Sequence, residues 1–111
     1  MVRSVLFLQA RAGGHEAIER FFSDEQVLER AARTPGFIGA ELQCPNDAGA
    51  PALVTALWES EQAYRGWVED PWRAENAARA AEVFVPVEVE RGGGEIYEVV
   101  RAVGSGGGGP A

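Results

Sequence analysis

The chain has 111 residues, with ten arginines against seventeen acids, no lysine, and a formal net charge of −7. A balance this acidic lacks the clustered Lys and Arg that a phosphate backbone or an anionic membrane surface demands, which excludes a general nucleic-acid or membrane binder. The single cysteine, Cys44, permits no internal disulfide, nothing at the N-terminus resembles a leader, and the apolar run Val5 to Leu8 is too short to span a bilayer, so a cytoplasmic protein is expected.

Ser4 to Ala10 reads as a strand that is apolar on both faces over most of its length. Arg11 to Gly14 turns the chain, and His15 to Arg33 is helical by its recurrence of Ile18, Phe21, Phe22, Leu28, Ala31 and Ala32. Ser23 and Gln26 have capping-box spacing, which leaves a break and restart open there. Thr34-Pro35-Gly36 ends the helix, because a residue before proline is pushed out of the helical region. Phe37 to Cys44 alternates, with Phe37, Gly39, Glu41 and Gln43 on one side and Ile38, Ala40, Leu42 and Cys44 on the other. Pro45 to Pro51 is a loop.

Ala52 to Trp58 is an apolar run with little alternation, the pattern of a strand covered on both faces. Ser60 stands at an N-cap position with Glu61 in the first turn, and Tyr64, Trp67 and Val68 share one face of the helix that follows. Asp70-Pro71 repeats the start signal, a capping residue and then proline at the first helical position. Ala74, Ala77, Ala78 and Ala81 form a stripe of small residues that suits close packing on a sheet. Val83 to Glu90 is extended, with Pro86 favouring an edge. Gly92 to Gly94 turns, and Glu95 to Val103 is the last strand. Residues 1–103 make one domain, and 104–111 form a glycine-rich flexible tail.

The order strand, helix, strand, strand, helix, strand is the βαββαβ, ferredoxin-like pattern of the α+β class, a four-stranded antiparallel sheet with both helices on one face. Leu42, Val54 and Ala56 are expected to leave the other face apolar, which favours a homodimer.

All three tryptophans, Trp58, Trp67 and Trp72, fall within fifteen positions together with Tyr64. That clustering suits a pocket for a flat aromatic molecule. Each of these residues also has a plain structural reading: Trp58 and Trp67 as core, Trp72 as packing or a dimer contact, Arg73 and Arg79 as solvated helix residues, Glu41 as a strand residue facing water. His15 is the only histidine and has no partners for a metal, so no metal site is expected. Cys44 reads as a small apolar filler, and the glycine runs lack the strand-to-helix fingerprint of a dinucleotide loop.

From Pro35-Gly36-Phe37 through Trp58-Glu59-Ser60-Glu61-Gln62-Ala63-Tyr64-Arg65 to Asp70-Pro71, the sequence resembles the antibiotic biosynthesis monooxygenase family. The resemblance covers nearly the whole chain up to the tail. It implies a dimeric α+β barrel, and the stretch beyond Ser60 resembles the branch found in actinomycete aromatic polyketide pathways. That branch oxidises anthrone or phenolic tetracenone intermediates to quinones with dioxygen, without metal, flavin or haem. On this resemblance the expected catalytic residues are Trp58, Tyr64 and Arg79. Gln43, Val54, Trp67, Arg73, Phe37 and Glu41 are the expected substrate contacts. Val54 stands where the branch uses an asparagine, and Arg73 and Arg79 are both candidates for its helix arginine. Trp58 and Tyr64 would supply N–H and O–H donors, Gln43 would bond a substrate carbonyl, and the proton acceptor is left open among Tyr64, Glu41 and water. A polyketide cyclase or tailoring protein, and a dimer that only binds aromatic ligands, are the alternative readings.

Overall fold

The structure, a computed structural model, describes residues 1–86 and 95–104. The expected extension over residues 87–90, the Gly92 to Gly94 turn and the tail beyond Gly104 lie outside the described residues. The elements are β1 (Val2–Ala10), α1 (Gly14–Asp24), α2 (Val27–Ala31), β2 (Phe37–Gln43), β3 (Ala52–Trp58), α3 (Glu61–Val68), α4 (Pro71–Glu75), α5 (Ala77–Val83), β4 (Phe84–Pro86) and β5 (Glu95–Glu98).

The sheet order is β2-β3-β1-β4, all antiparallel, with β5 also on β1. This is the ferredoxin-like α+β arrangement, its last edge divided between two short strands. β4 pairs with Leu8 to Ala10 and β5 with Val2 to Val5. β5 stops at Glu98 because it pairs with Val2 at the start of β1; the Val99 amide donates to the Met1 carbonyl at 3.0 Å, and Val100 and Val103 are exposed. The last strand is therefore shorter than Glu95 to Val103.

Alternation along the two central strands decides the layers. Val2, Leu6 and Leu8 of β1 and Ala52, Val54, Ala56 and Trp58 of β3 turn to the helices. The register pairs Val2 with Trp58 and Leu8 with Ala52, so these residues form one continuous inner wall. Arg3, Val5 and Phe7, with Leu53, Thr55 and Leu57 opposite them, take the outer face. Leu42, Val54 and Ala56 thus lie on the helix-covered side and not on the open one. The open face is apolar nonetheless, through the half-buried Val5, Phe7 and Leu53.

The alternation of β2 is interrupted by an irregularity between Phe37 and Gly39, opposite Trp58 and Leu57. One extra residue on a strand shifts its faces by one position. Phe37 therefore joins Ala40 against the core, while Glu41 lies opposite outward-facing Thr55. Cys44 lies beyond the strand and is exposed, so it fills no core space.

The first helix does break, but not with a capping box. Gln26 itself takes the left-handed conformation at φ 52, no side chain caps α2, and Arg30 Nε donates to the Glu25 carbonyl at 2.8 Å. α2 ends at Ala31, where Arg33 and Thr34 bond three residues back and tighten the turn. Ser60 caps α3 through the Ala63 amide, and Asp70 caps α4 through the Trp72 amide with Pro71 next, as their positions predict. Asn76 then divides that helix: its Nδ2 donates to the Trp72 carbonyl at 2.9 Å, a side-chain bond that competes with the helix ladder. No helix among the described residues is long and apolar enough to cross a membrane.

The core is in two parts. One gathers Val2, Ala31, Ala56 and Trp58, and the other Leu8, Ile18, Phe22 and Ala52. The space between them, under α4 and α5, is open.

Candidate functional site

That space is a cavity of about 400 Å³, within the range of small-molecule sites. Its sheet wall comes from Ser4, Leu6, Leu8, Val54, Ala56 and Trp58, and its helix walls from residues of α1 to α5. Ala77, Ala80 and Ala81 line it from α5. The small-residue stripe leaves room for the cavity rather than drawing its helix onto the sheet.

Trp58 is fully buried at the end of β3. Phe37 meets it edge-on, with ring centroids 5.4 Å apart, and Tyr64 does so at 5.8 Å. Its indole N–H donates to Ser4 Oγ at 3.0 Å. The sequence leads one to expect that N–H to face a ligand; here it is spent on a neighbouring strand. Ser4 pairs with Ala56, two residues before Trp58, so the long indole reaches a diagonal neighbour on the same face.

Tyr64 and Trp67 project from α3 into the cavity wall, whereas Val68 on the same helix is 43% exposed. Gly36 makes the position of α3 possible. It has φ +88, and a Cβ on it would come 2.5 Å from the Ala63 Cβ. The turn and the helix start therefore meet where only glycine fits.

Trp72, brought back by the Asp70-Pro71 start, stacks on Trp67 with centroids 6.2 Å apart and planes at 19°. The Arg73 guanidinium lies 5.4 Å from the Trp67 ring centre, and that of Arg30 lies 4.7 Å from the Trp72 ring centre. Arg73 is the one charged side chain on the cavity wall among the described residues, and no ion pair holds it there. A cation beside a mainly hydrocarbon cavity, in a chain of net charge −7, is a local attraction for an anion.

Of the residues singled out in the sequence, Trp58, Tyr64, Trp67, Val54 and Arg73 meet at this cavity. Phe37 supports Trp58 from behind. Gln43 and Glu41 hydrogen-bond each other at 3.0 Å and are exposed, away from the cavity. Arg79 turns outward to Glu25 and Asn76. His15 Nε2 lies 2.9 Å from the Ala50 carbonyl and ties the start of α1 to the loop before β3. Sequence reasoning passed over Ser4. Its signal was present, a lone hydroxyl in a run of aliphatic strand residues.

The lining contains no histidine, cysteine or methionine among the described residues, and Tyr64 is the one side chain there of a type that ligates haem iron.

Comparison with known proteins agrees with this architecture. SnoaB from Streptomyces nogalater, a cofactor-independent oxygenase, superposes with TM-score 0.74 at 17% identity, over 94% of this chain and 97% of that one. MhuD from Mycobacterium tuberculosis, a haem degrader with two haems bound in its active site, superposes with TM-score 0.71 at 24% identity, over 94% and 100%. At these identities the likeness is one of fold. No curated protein matches the sequence. The model of the antibiotic biosynthesis monooxygenase family, whose members are monooxygenases, matches residues 1–81. With most of the chain matched and the sheet order, helix placement and cavity all in keeping, the protein belongs to the antibiotic biosynthesis monooxygenase family.

Proposed function

We propose that the protein is a cofactor-independent monooxygenase that oxidises an anthrone or phenol of aromatic polyketide type to a quinone, and that it works as a homodimer. The observation that carries this reading is the cavity: mainly hydrocarbon in lining, flanked by the aromatic residues Trp67, Tyr64 and Trp72, and given a single cation, Arg73.

The chemistry asks little of the protein. Oxidising a ring CH₂ to C=O removes four electrons, and one O₂ accepts all four, leaving one oxygen in the ketone and the other in water. No external reductant is required. The difficult part is the first electron transfer to triplet oxygen, which an enolate or phenolate makes and a neutral ligand does not. Arg73 favours that anion by charge, and the Tyr64 hydroxyl is a donor on the same wall. The stacked Trp67 and Trp72 line the helix side of the cavity and Val54 its sheet side, so the rings of the substrate lie between aromatic and aliphatic walls. Arg79, Glu41 and Gln43 have no part in this reading, because they are engaged elsewhere. The homodimer rests on the open sheet face, where the half-buried Val5, Phe7 and Leu53 would be covered by a second copy.

The test is oxygen uptake by chelator-treated protein with the anthrone dithranol. Uptake above the protein-free rate, lowered in Tyr64→Phe and Arg73→Gln, supports the reading. Binding without uptake would move it to a ligand-binding protein.

A further inference from the structure

The bond between Trp58 and Ser4 leaves one hydrogen to be placed. An indole N–H only donates, so at 3.0 Å Ser4 Oγ must accept. The hydroxyl hydrogen of Ser4 is thereby turned away from Trp58, and no described residue accepts it. Ser4 is 8% exposed and lies on the cavity wall. Around it on the sheet, Leu6, Leu8, Val54 and Ala56 are hydrocarbon, and the Trp58 N–H is already engaged.

The Ser4 O–H is therefore the one side-chain donor left on the sheet wall among the described residues. Accepting a bond from Trp58 polarises it, since chained hydrogen bonds strengthen one another. The mainly hydrocarbon surroundings make a bond from it to an oxyanion stronger than the same bond in water.

We infer that Ser4 donates its hydroxyl hydrogen to a ketone or phenolate oxygen at the edge of the bound aromatic molecule, and that Trp58 is a positioning residue acting through Ser4. The inference rests on the aromatic-ligand reading given above. It also gives the ligand a requirement: a planar aromatic with an oxygen acceptor on the edge that faces the sheet.

The probe is 1,8-dihydroxyanthraquinone, whose colour reports ionisation of its phenol. A donor to the phenolate lowers the pH at which the bound ligand ionises. Removing it by Ser4→Ala is expected to raise that ionisation point by about one unit relative to wild type. Ser4→Thr, which keeps the hydroxyl, is expected to restore it. Trp58→Phe, which keeps Ser4 but removes its polarising partner, is expected to fall between the two. An ionisation point that is the same in wild type, Ser4→Ala and Trp58→Phe overturns the role of Ser4 while the aromatic-ligand reading stands. If wild type does not bind the quinone at all, both are overturned. Should Ser4→Ala fail to fold, Trp58→Phe against wild type decides: an unchanged ionisation point rejects the relay.

Discussion

Trp67 and Trp72 stack with planes at 19°, although a helix end, an N-cap aspartate and a proline separate them in the chain. The Asp70-Pro71 start sets their angle, and Arg73 and Arg30 each lie over one of the rings. Trp72→Ala is expected to free Trp67 and lower stability by about 1–2 kcal/mol, the worth of one aromatic pair and one cation–π contact. Urea unfolding measures it. Binding of 1,8-dihydroxyanthraquinone should weaken in the same variant.

Ser4 and Trp58 form a buried pair, so losing one partner strands the other. Ser4→Ala should cost about 1–3 kcal/mol, because the N–H of the fully buried Trp58 is left without its acceptor. In a double-mutant cycle with Trp58→Phe the two losses should fall short of additivity by about 1 kcal/mol. Additive losses would mean that the bond contributes nothing.

Gly36 is held where a Cβ would collide with Ala63 and where φ is +88. Gly36→Ala should destabilise the fold by more than about 1–2 kcal/mol, the cost of the left-handed region alone. It should also shift α3, and with it Tyr64 and Trp67. Thermal unfolding reads the first effect and ligand binding the second.

Ala80 lines the cavity from α5 and has open space before it. Ala80→Leu should fill part of that space and lower affinity for the quinone at least about tenfold, while leaving stability within about 1 kcal/mol, since no packed neighbour has to move. A large loss of stability would show that the space is not open.

Cys44 has its thiol pushed up from the ordinary value, first by partial burial and then by the negative charge of Glu19. Both disfavour the thiolate. At pH 8 its alkylation by iodoacetamide should therefore be slower than in the urea-unfolded chain, where the ordinary value returns. The sign for stability follows: any contribution from Cys44 is present below the unfolded value of 9.0 and is lost as pH rises through the folded one.

How much of this could be read in the sequence depends on the range of the interactions involved. Ser60, Asp70 and Pro71 announced two helix starts because caps are local signals between residues three or fewer apart. The β3 span was legible for the same reason. The faces of β2 were not, because the irregularity beside Phe37 is set by its pairing with β3, and the strand itself carries no mark of it. Asn76 divides the last helix through a bond to Trp72 that helix propensity does not register. At the site, the aromatic cluster was visible as composition. The role of Ser4 was not, since it depends on a diagonal contact with a residue 54 positions away. Arg73 and Arg79 looked equivalent as helix arginines, and only the packing of Glu25 beside Arg79 separated them.

The central claim is that this cavity lets dioxygen oxidise an aromatic ring carbon with no reductant but the substrate itself. Chelator-treated protein given dithranol under ¹⁸O₂ tests it most directly, with oxygen uptake followed alongside the mass of the anthraquinone formed. The expected result is turnover above the protein-free rate, one O₂ consumed per quinone, and one ¹⁸O in the new carbonyl. A rate no faster than the protein-free control, or a new carbonyl oxygen drawn from water, would contradict it.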